Sequence, residues 1–368
     1  MDRDAPRAWS VAGFLMASAL ATSISGIAAA QSPTPTIFNR SGASTVQNYW
    51  TPQRMAAAKP MGKEVSGLAK RPAVTPLATG APGAAGGSMP GGLLINRLQS
   101  PSRPTAAPIP ADGSYPGPHT TFEYAGRYLR YPISTIGKLF FTQPGIGNFV
   151  CSASVTTGSA SINNIIWTAG HCVANGGAAA FYTNFLFCPS FDSAQGGVNP
   201  AVGCWSWSSV ATSNEWFNNG AFPRDYAIIR LQPSGTVINA NVATVTGGLG
   251  FAWNQGRDQH WVHLGYPAAS PFTGGKIILT ATEHRYDDSA QGNPSTNSWG
   301  SSQTPGSSGS PLILSFNIPP AISPNGGFIN SNVSYYYLNE AGKELQGPYF
   351  DTQVCNFWKS NTGSSTSC

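Results

Sequence analysis

From about Thr120 onward, apolar residues come in short runs rather than at helical spacing. The runs read "IGKLFFT" (136–142), "NFVCSASVTT" (148–157), "INNIIWTAG" (162–170), "AAFYTNFLF" (179–187), "YAIIRL" (226–231), "WVHLGYP" (261–267), "GKIILTATEH" (275–284), "SPLILSF" (310–316) and "FINSNVSYYYL" (328–338). Turn formers separate them: "TQPGIG", "NGG", "QPSG" and "GNPS". Short β-rich runs with Gly, Asn and Pro punctuation predict an all-β sandwich or barrel. Helical periodicity is scarce; only "FDTQVCNFWKS" (350–360) predicts a helix. Residues 119–368, about 250 in number, match one large or two small β-barrels. No repeat of fixed period is visible.

Upstream the texture differs. Arg3 and Arg7 precede an apolar, Ala- and Ser-rich stretch that ends "GIAAAQ". A basic start, an apolar middle and small residues at the end predict a secretory signal peptide over 1–30. A membrane anchor is the competing reading, and a leucine-poor stretch disfavours it. Residues 31–118 are rich in Pro, Ala, Gly and Ser, the composition of a linker that buries no core. They are read as a pro-segment removed on maturation, with a plain spacer as the bland alternative. "VQNYWTPQRMAAAKP" (46–60) stands out there, because its aromatic and apolar anchors could dock on a surface.

Six cysteines suit an exported chain: Cys151, Cys172, Cys188, Cys204, Cys355 and Cys368. No C-x-x-C pair exists, so disulfides rather than zinc are expected, and no metal site is predicted. Proximity along the chain favours 151–172, 188–204 and 355–368. The formal net charge is +5, but residues 31–118 hold eight Lys or Arg against two acids, whereas 119–368 hold ten against eleven. The body is close to neutral, which argues against a nucleic-acid partner. The expected mature protein is a secreted monomer, extracellular or periplasmic, without cofactor or membrane attachment, acting on proteins or peptides.

The candidate chemistry is acyl transfer. It needs a hydroxyl nucleophile, an imidazole to take its proton, and a carboxylate to hold the imidazole in one tautomer. His171 ends an apolar strand, Asp225 opens "DYAIIRL", and Ser308 lies in "TPGSSGSPLIL". Gly306 can adopt positive φ and aim its N–H inward. It and the Ser308 N–H are the candidate oxyanion donors. Asp192, Asp258, Asp287 and Asp288 rival Asp225. His260, His263 and His284 form no H-E-x-x-H pattern and are read as surface or turn residues. The order His, Asp, Ser and the lack of G-x-S-x-G exclude an α/β-hydrolase elbow.

"TAGHC", "DYAIIRL" and "GSSGSP", in that order, resemble the landmarks of the chymotrypsin-like serine endopeptidases, and "HLGYPA" (263–268) resembles the bacterial glutamyl-endopeptidase-like branch. The resemblance covers about residues 120–355. It implies two six-stranded antiparallel β-barrels with the site between them, His171 as base, Asp225 as orienter and Ser308 as nucleophile. It also implies a Cys151–Cys172 bridge beside the histidine.

Two departures matter. Ser307 stands where many animal relatives carry an aspartate that pairs with the new N-terminus. Ser302 stands where trypsin-like relatives carry an acid. The specificity pocket is therefore expected to be neutral and polar, with Ser302, Gln303, Thr304, Asn330 and Ser331 as candidate walls. The second functional class is a secreted binding protein on a degenerate protease scaffold.

Overall fold

A computed structural model describes residues 33–71, 80–87, 89–91, 119–123, 128–157, 164–316, 327–340 and 343–368. The expected signal peptide, 1–30, and residues 92–118 lie outside them. Six antiparallel strands close the first barrel. Trp205–Thr212 pairs with Thr183–Pro189, followed by Ile136–Gln143, Gly147–Val155, Ile165–Thr168 and Ala227–Leu231. Ala227–Leu231 returns to Trp205–Thr212, with Val210 opposite Ile229. Closure pairs each of these strands with two neighbours of the ring and leaves only short edge stretches, at 209–211 and 149–150, for other segments to pair with. Their inward apolar positions fill the barrel; Phe141 stacks on Tyr182 with ring centroids 5.2 Å apart.

The second sheet runs Glu344–Gly347, Thr296–Gly300, Ile278–Asp288, His260–Gly265, Pro311–Leu314, Phe328–Asn332 and Gly250–Trp253. Its pairs are antiparallel except the last, Phe328–Asn332 with Gly250–Trp253. His119–Glu123 adds to Ile278–Asp288, with Thr121 opposite Thr280. The expected tail helix spans Thr352–Thr362. Asp351 caps it by accepting from Val354 N, and Gly363 closes it at φ 71°. Trp358 on this helix stacks on Phe251, centroids 5.1 Å apart, and so covers the second sheet.

The leader departs from the linker reading. Thr36–Phe38 forms a strand on the edge of Trp205–Thr212, and helices follow at Ala43–Tyr49 and Pro52–Ala56. Trp50 is buried against Phe140, centroids 5.3 Å apart, and its indole N–H donates to Asn184 O at 2.6 Å. Gly83–Ala85 pairs with Gly250–Trp253. Two physical facts defeat the average composition. A few large anchors (Val46, Trp50, Met61) are enough to dock a segment, and small residues let backbone lie flat on a ring. A Cβ on Gly83 would come within 2.4 Å of the Trp253 indole.

Candidate active site

The strand Ile165–Thr168 ends in a single 3-10 turn, Gly170–Cys172, which carries His171. Gly170 makes room for Trp216, since a Cβ there would lie 2.6 Å from the indole. Trp216 then stands edge-on to the His171 ring at 6.1 Å. Cys172 is bonded to Cys151 on the neighbouring strand, so the turn is covalently held. The other bridges join Cys188 to Cys204 and Cys355 to Cys368.

Asp225 follows the turn Phe222–Arg224 and is fully buried, as is His171. One carboxylate oxygen accepts the His171 backbone N–H at 2.7 Å, and the other faces His171 Nδ1 at 2.7 Å. The Ser334 hydroxyl donates to that second oxygen, and Asn332 Nδ2 donates to the Asp225 carbonyl at 3.1 Å. A carboxylate gripping both backbone and ring fixes which face the imidazole presents.

Ser308 sits in a turn shaped by Gly306 (φ +102°) and Gly309 (φ +80°). Gly309 is pressed against the first barrel, where a Cβ would lie 2.0 Å from Thr168 Oγ1. Ser152 N donates to Ser308 O at 2.8 Å, and Ser152 Oγ donates to Gly306 O at 2.9 Å. Gly309 N donates to Val333 O at 2.9 Å. The serine turn is thus bonded to the residue beside Cys151 and to the residue beside Ser334. The backbone segments that carry all three candidate residues meet at this junction.

Met61 O, from the leader, lies in the turn. It accepts from Gly306 N at 2.7 Å and from the Ser308 hydroxyl at 3.2 Å. His171 Nε2 is buried and has no hydrogen-bond partner among the described residues.

The candidate pocket walls fare differently. Gln303 is buried and donates from Nε2 to Ile278 O (3.0 Å) and Thr280 Oγ1 (3.1 Å). Asn330 is held in the second sheet between Trp261 Nε1 and Ala252 O, and the Ser331 hydroxyl donates to Pro348 O. All three side chains are buried: Gln303 is bonded to the strand Ile278–Asp288, and Asn330 and Ser331 lie on the strand Phe328–Asn332, buried on both faces from Ile329 onward. Thr304 donates to Ala269 O, whereas Ser302 is half-buried.

Asp192 caps Ala194 N and pairs with Lys276, Asp287 pairs with Arg257 and His284, and Asp288 accepts from Tyr335 and Tyr337. None of these acids faces His171. The ligand atoms of Cys151, His171 and Cys172 lie within 4.8 Å of one another, a metal-ligand spacing. Their sulfurs are joined in a disulfide and offer no thiolate.

His263 is neither a surface nor a turn residue. It lies fully buried in the strand His260–Gly265, and burial pushes its pKa down to about 3. Ser310 Oγ donates to Ser307 O at 2.6 Å, so its oxygen accepts from His263 Nε2–H at 2.6 Å. The imidazole is therefore neutral and helps hold the turn from beneath. Sequence reasoning missed this support, together with Ser334 and Met61. Neither Ser334 nor Met61 lies near a landmark motif, although the docking patch 46–60 ends one residue short of Met61.

Family models and curated protein sequences give no match to this chain. Solved structures do. A thermostable serine protease, AL20, from an extremophilic microorganism is 32% identical, spanning 63% of this chain and 98% of that one, with a TM-score of 0.54. The chain belongs to the chymotrypsin-like serine proteases. Protease Anisep from Arthrobacter nicotinovorans is 29% identical over 63% of this chain and 96% of its own, also with a TM-score of 0.54. The unmatched share of this protease chain exceeds a third, enough to include the leader.

Proposed function

We propose that this chain is a secreted serine endopeptidase whose nucleophile is Ser308, base His171 and orienter Asp225. The observation that carries it is the double grip of Asp225 on His171, beside a glycine-shaped serine turn. With Nδ1–H donated to Asp225, the free nitrogen Nε2 is the one able to take a proton. In the reaction the Ser308 Oγ bonds to the scissile carbonyl carbon while its proton passes to His171 Nε2. The carbonyl oxygen becomes an oxyanion, met by the Gly306 N–H and the Ser308 N–H. Collapse breaks the C–N bond, and His171 returns the proton to the leaving amine. Water then cleaves the acyl-enzyme by the same route.

Secretion is supported by three disulfides and the basic, apolar N-terminus. Among the described residues no helix is long and apolar enough to cross a membrane. Ser302 offers a neutral, polar pocket contact, so no charge-matched selection for Arg or Lys is expected from a peptide library.

Casein or an unstructured peptide tests the proposal. Ser308→Ala and His171→Ala in the matured enzyme are each expected to lower kcat by about six orders of magnitude, the double variant little more. Wild-type turnover in Ser308→Ala would refute the assignment. Absence of turnover in the wild type would favour the degenerate binding scaffold.

A further inference from the structure

We infer that residues 59–65 form a built-in plug of the active site, so that the leader is a peptide inhibitor with its own docking surface; this rests on the proposed role of Ser308. Lys59–Pro60 pairs with Phe149–Val150 at the lip of the first barrel, and Met61 N donates to Val150 O at 2.9 Å. Met61 O then takes the Gly306 N–H and the Ser308 hydroxyl. Beyond the serine, Tyr336 N donates to Lys63 O at 3.1 Å, and Glu64–Val65 pairs with Tyr336–Tyr337 on the other side. Glu64 accepts from the Tyr336 hydroxyl at 2.5 Å, and Lys63 Nζ lies 5.9 Å over the Trp216 ring. The segment therefore crosses the serine turn from strand to strand, with a carbonyl bonded to one of the proposed oxyanion donors.

The contact is chemically silent. The Ser308 O–H points at the carbonyl oxygen, whereas attack requires its lone pair on the carbon and its proton on His171 Nε2. That nitrogen is left without a partner. Anchors at both ends hold the plug in place. Trp50 is buried near Phe140, Lys70 N donates to Asp288 Oδ1 at 2.9 Å, and Ser289 N donates to Lys70 O at 2.7 Å. Since these anchors, and the Gly83–Ala85 strand as well, all precede residue 92, a cut between 92 and 118 alone leaves the plug seated. Release needs dissociation or a second cut.

Gly62 supplies the test. It lies on Pro305, and a Cβ there would come within 2.9 Å of that ring. Gly62→Val therefore displaces the plug while leaving the serine, histidine and aspartate unchanged. The full secreted chain and its Gly62→Val form are compared by fluorophosphonate labelling of Ser308 and by trypsin cutting at Lys63. Both rates are expected to rise at least about tenfold in the variant, as the plugged population falls. Trp50→Ala, which loosens a distant anchor, is expected to act in the same direction and covers the case in which Gly62→Val does not fold. Equal rates at Ser308 and Lys63 in wild type and folded variant overturn the plug. A rise at Lys63 alone, with no labelling even after the leader is digested away, keeps the plug and sinks the nucleophile assignment instead.

Discussion

Asp225 accepts three hydrogen bonds on one buried carboxylate, from the His171 backbone, the His171 ring and the Ser334 hydroxyl. Ser334 touches no substrate, so its effect runs through the orientation of Asp225. Ser334→Ala is expected to lower kcat roughly tenfold, the worth of one hydrogen bond, with KM nearly unchanged. Ser334→Thr, which keeps the hydroxyl, is expected to restore much of the loss in the same steady-state assay. His263 acts on stability instead. An unfolded imidazole takes up a proton below about pH 6.5, whereas the buried His263 stays neutral down to about 3. Stability is therefore lost as pH falls through that window, at most about 1.4 kcal/mol per pH unit. Thermal melts of wild type between pH 7 and 4 are expected to show a steeper decline than those of His263→Leu. His171, Asp225 and Ser308 were legible as candidates because each sits in a short motif. His263 was not, because a histidine in "WVHLGYP" looks the same whether its strand is half or wholly buried.

Elements bring these residues together through contacts remote in sequence. Arg224, next to Asp225, makes two hydrogen bonds to Asp351, at 2.9 and 2.8 Å, and Asp351 is also the cap of the helix Thr352–Thr362. The tail helix thus braces the loop that holds Asp225, the proposed orienter. Asp351→Ala removes the cap and strands a buried guanidinium, at an expected cost of about 3–5 kcal/mol in urea unfolding. The strands and this helix were readable from runs and turns, since period and punctuation are local properties. The Arg224–Asp351 pair spans 127 residues, and no local pattern encodes it. The three neighbouring-cysteine bridges were legible because short loops place their ends close together. The surroundings of Asn330 were not, because whether a residue faces a cleft or a core depends on which strands cover it.

At the scale of the whole molecule, the leader and the two sheets share one cleft. Composition across 31–118 is that of a spacer, yet residues 36–71 reach from the first barrel to the second sheet, because docking depends on a few anchors rather than on an average. An N-terminus created by the expected processing would find no acid beside Ser308 to pair with, because residue 307 is a serine. The Ser307 hydroxyl already donates to Thr304 O at 2.9 Å. One or two extra residues before His119 are therefore expected to leave kcat of the matured enzyme nearly unchanged, and a loss of several orders of magnitude would reveal a buried terminus. The proposed function stands or falls on Ser308, activated by His171, being the nucleophile. The most direct test is to treat the matured, leader-free enzyme with a fluorophosphonate and map the adduct by peptide mass. One stoichiometric adduct on Ser308 is expected, lost when His171 is alanine; no adduct, or an adduct on another residue, would refute the assignment.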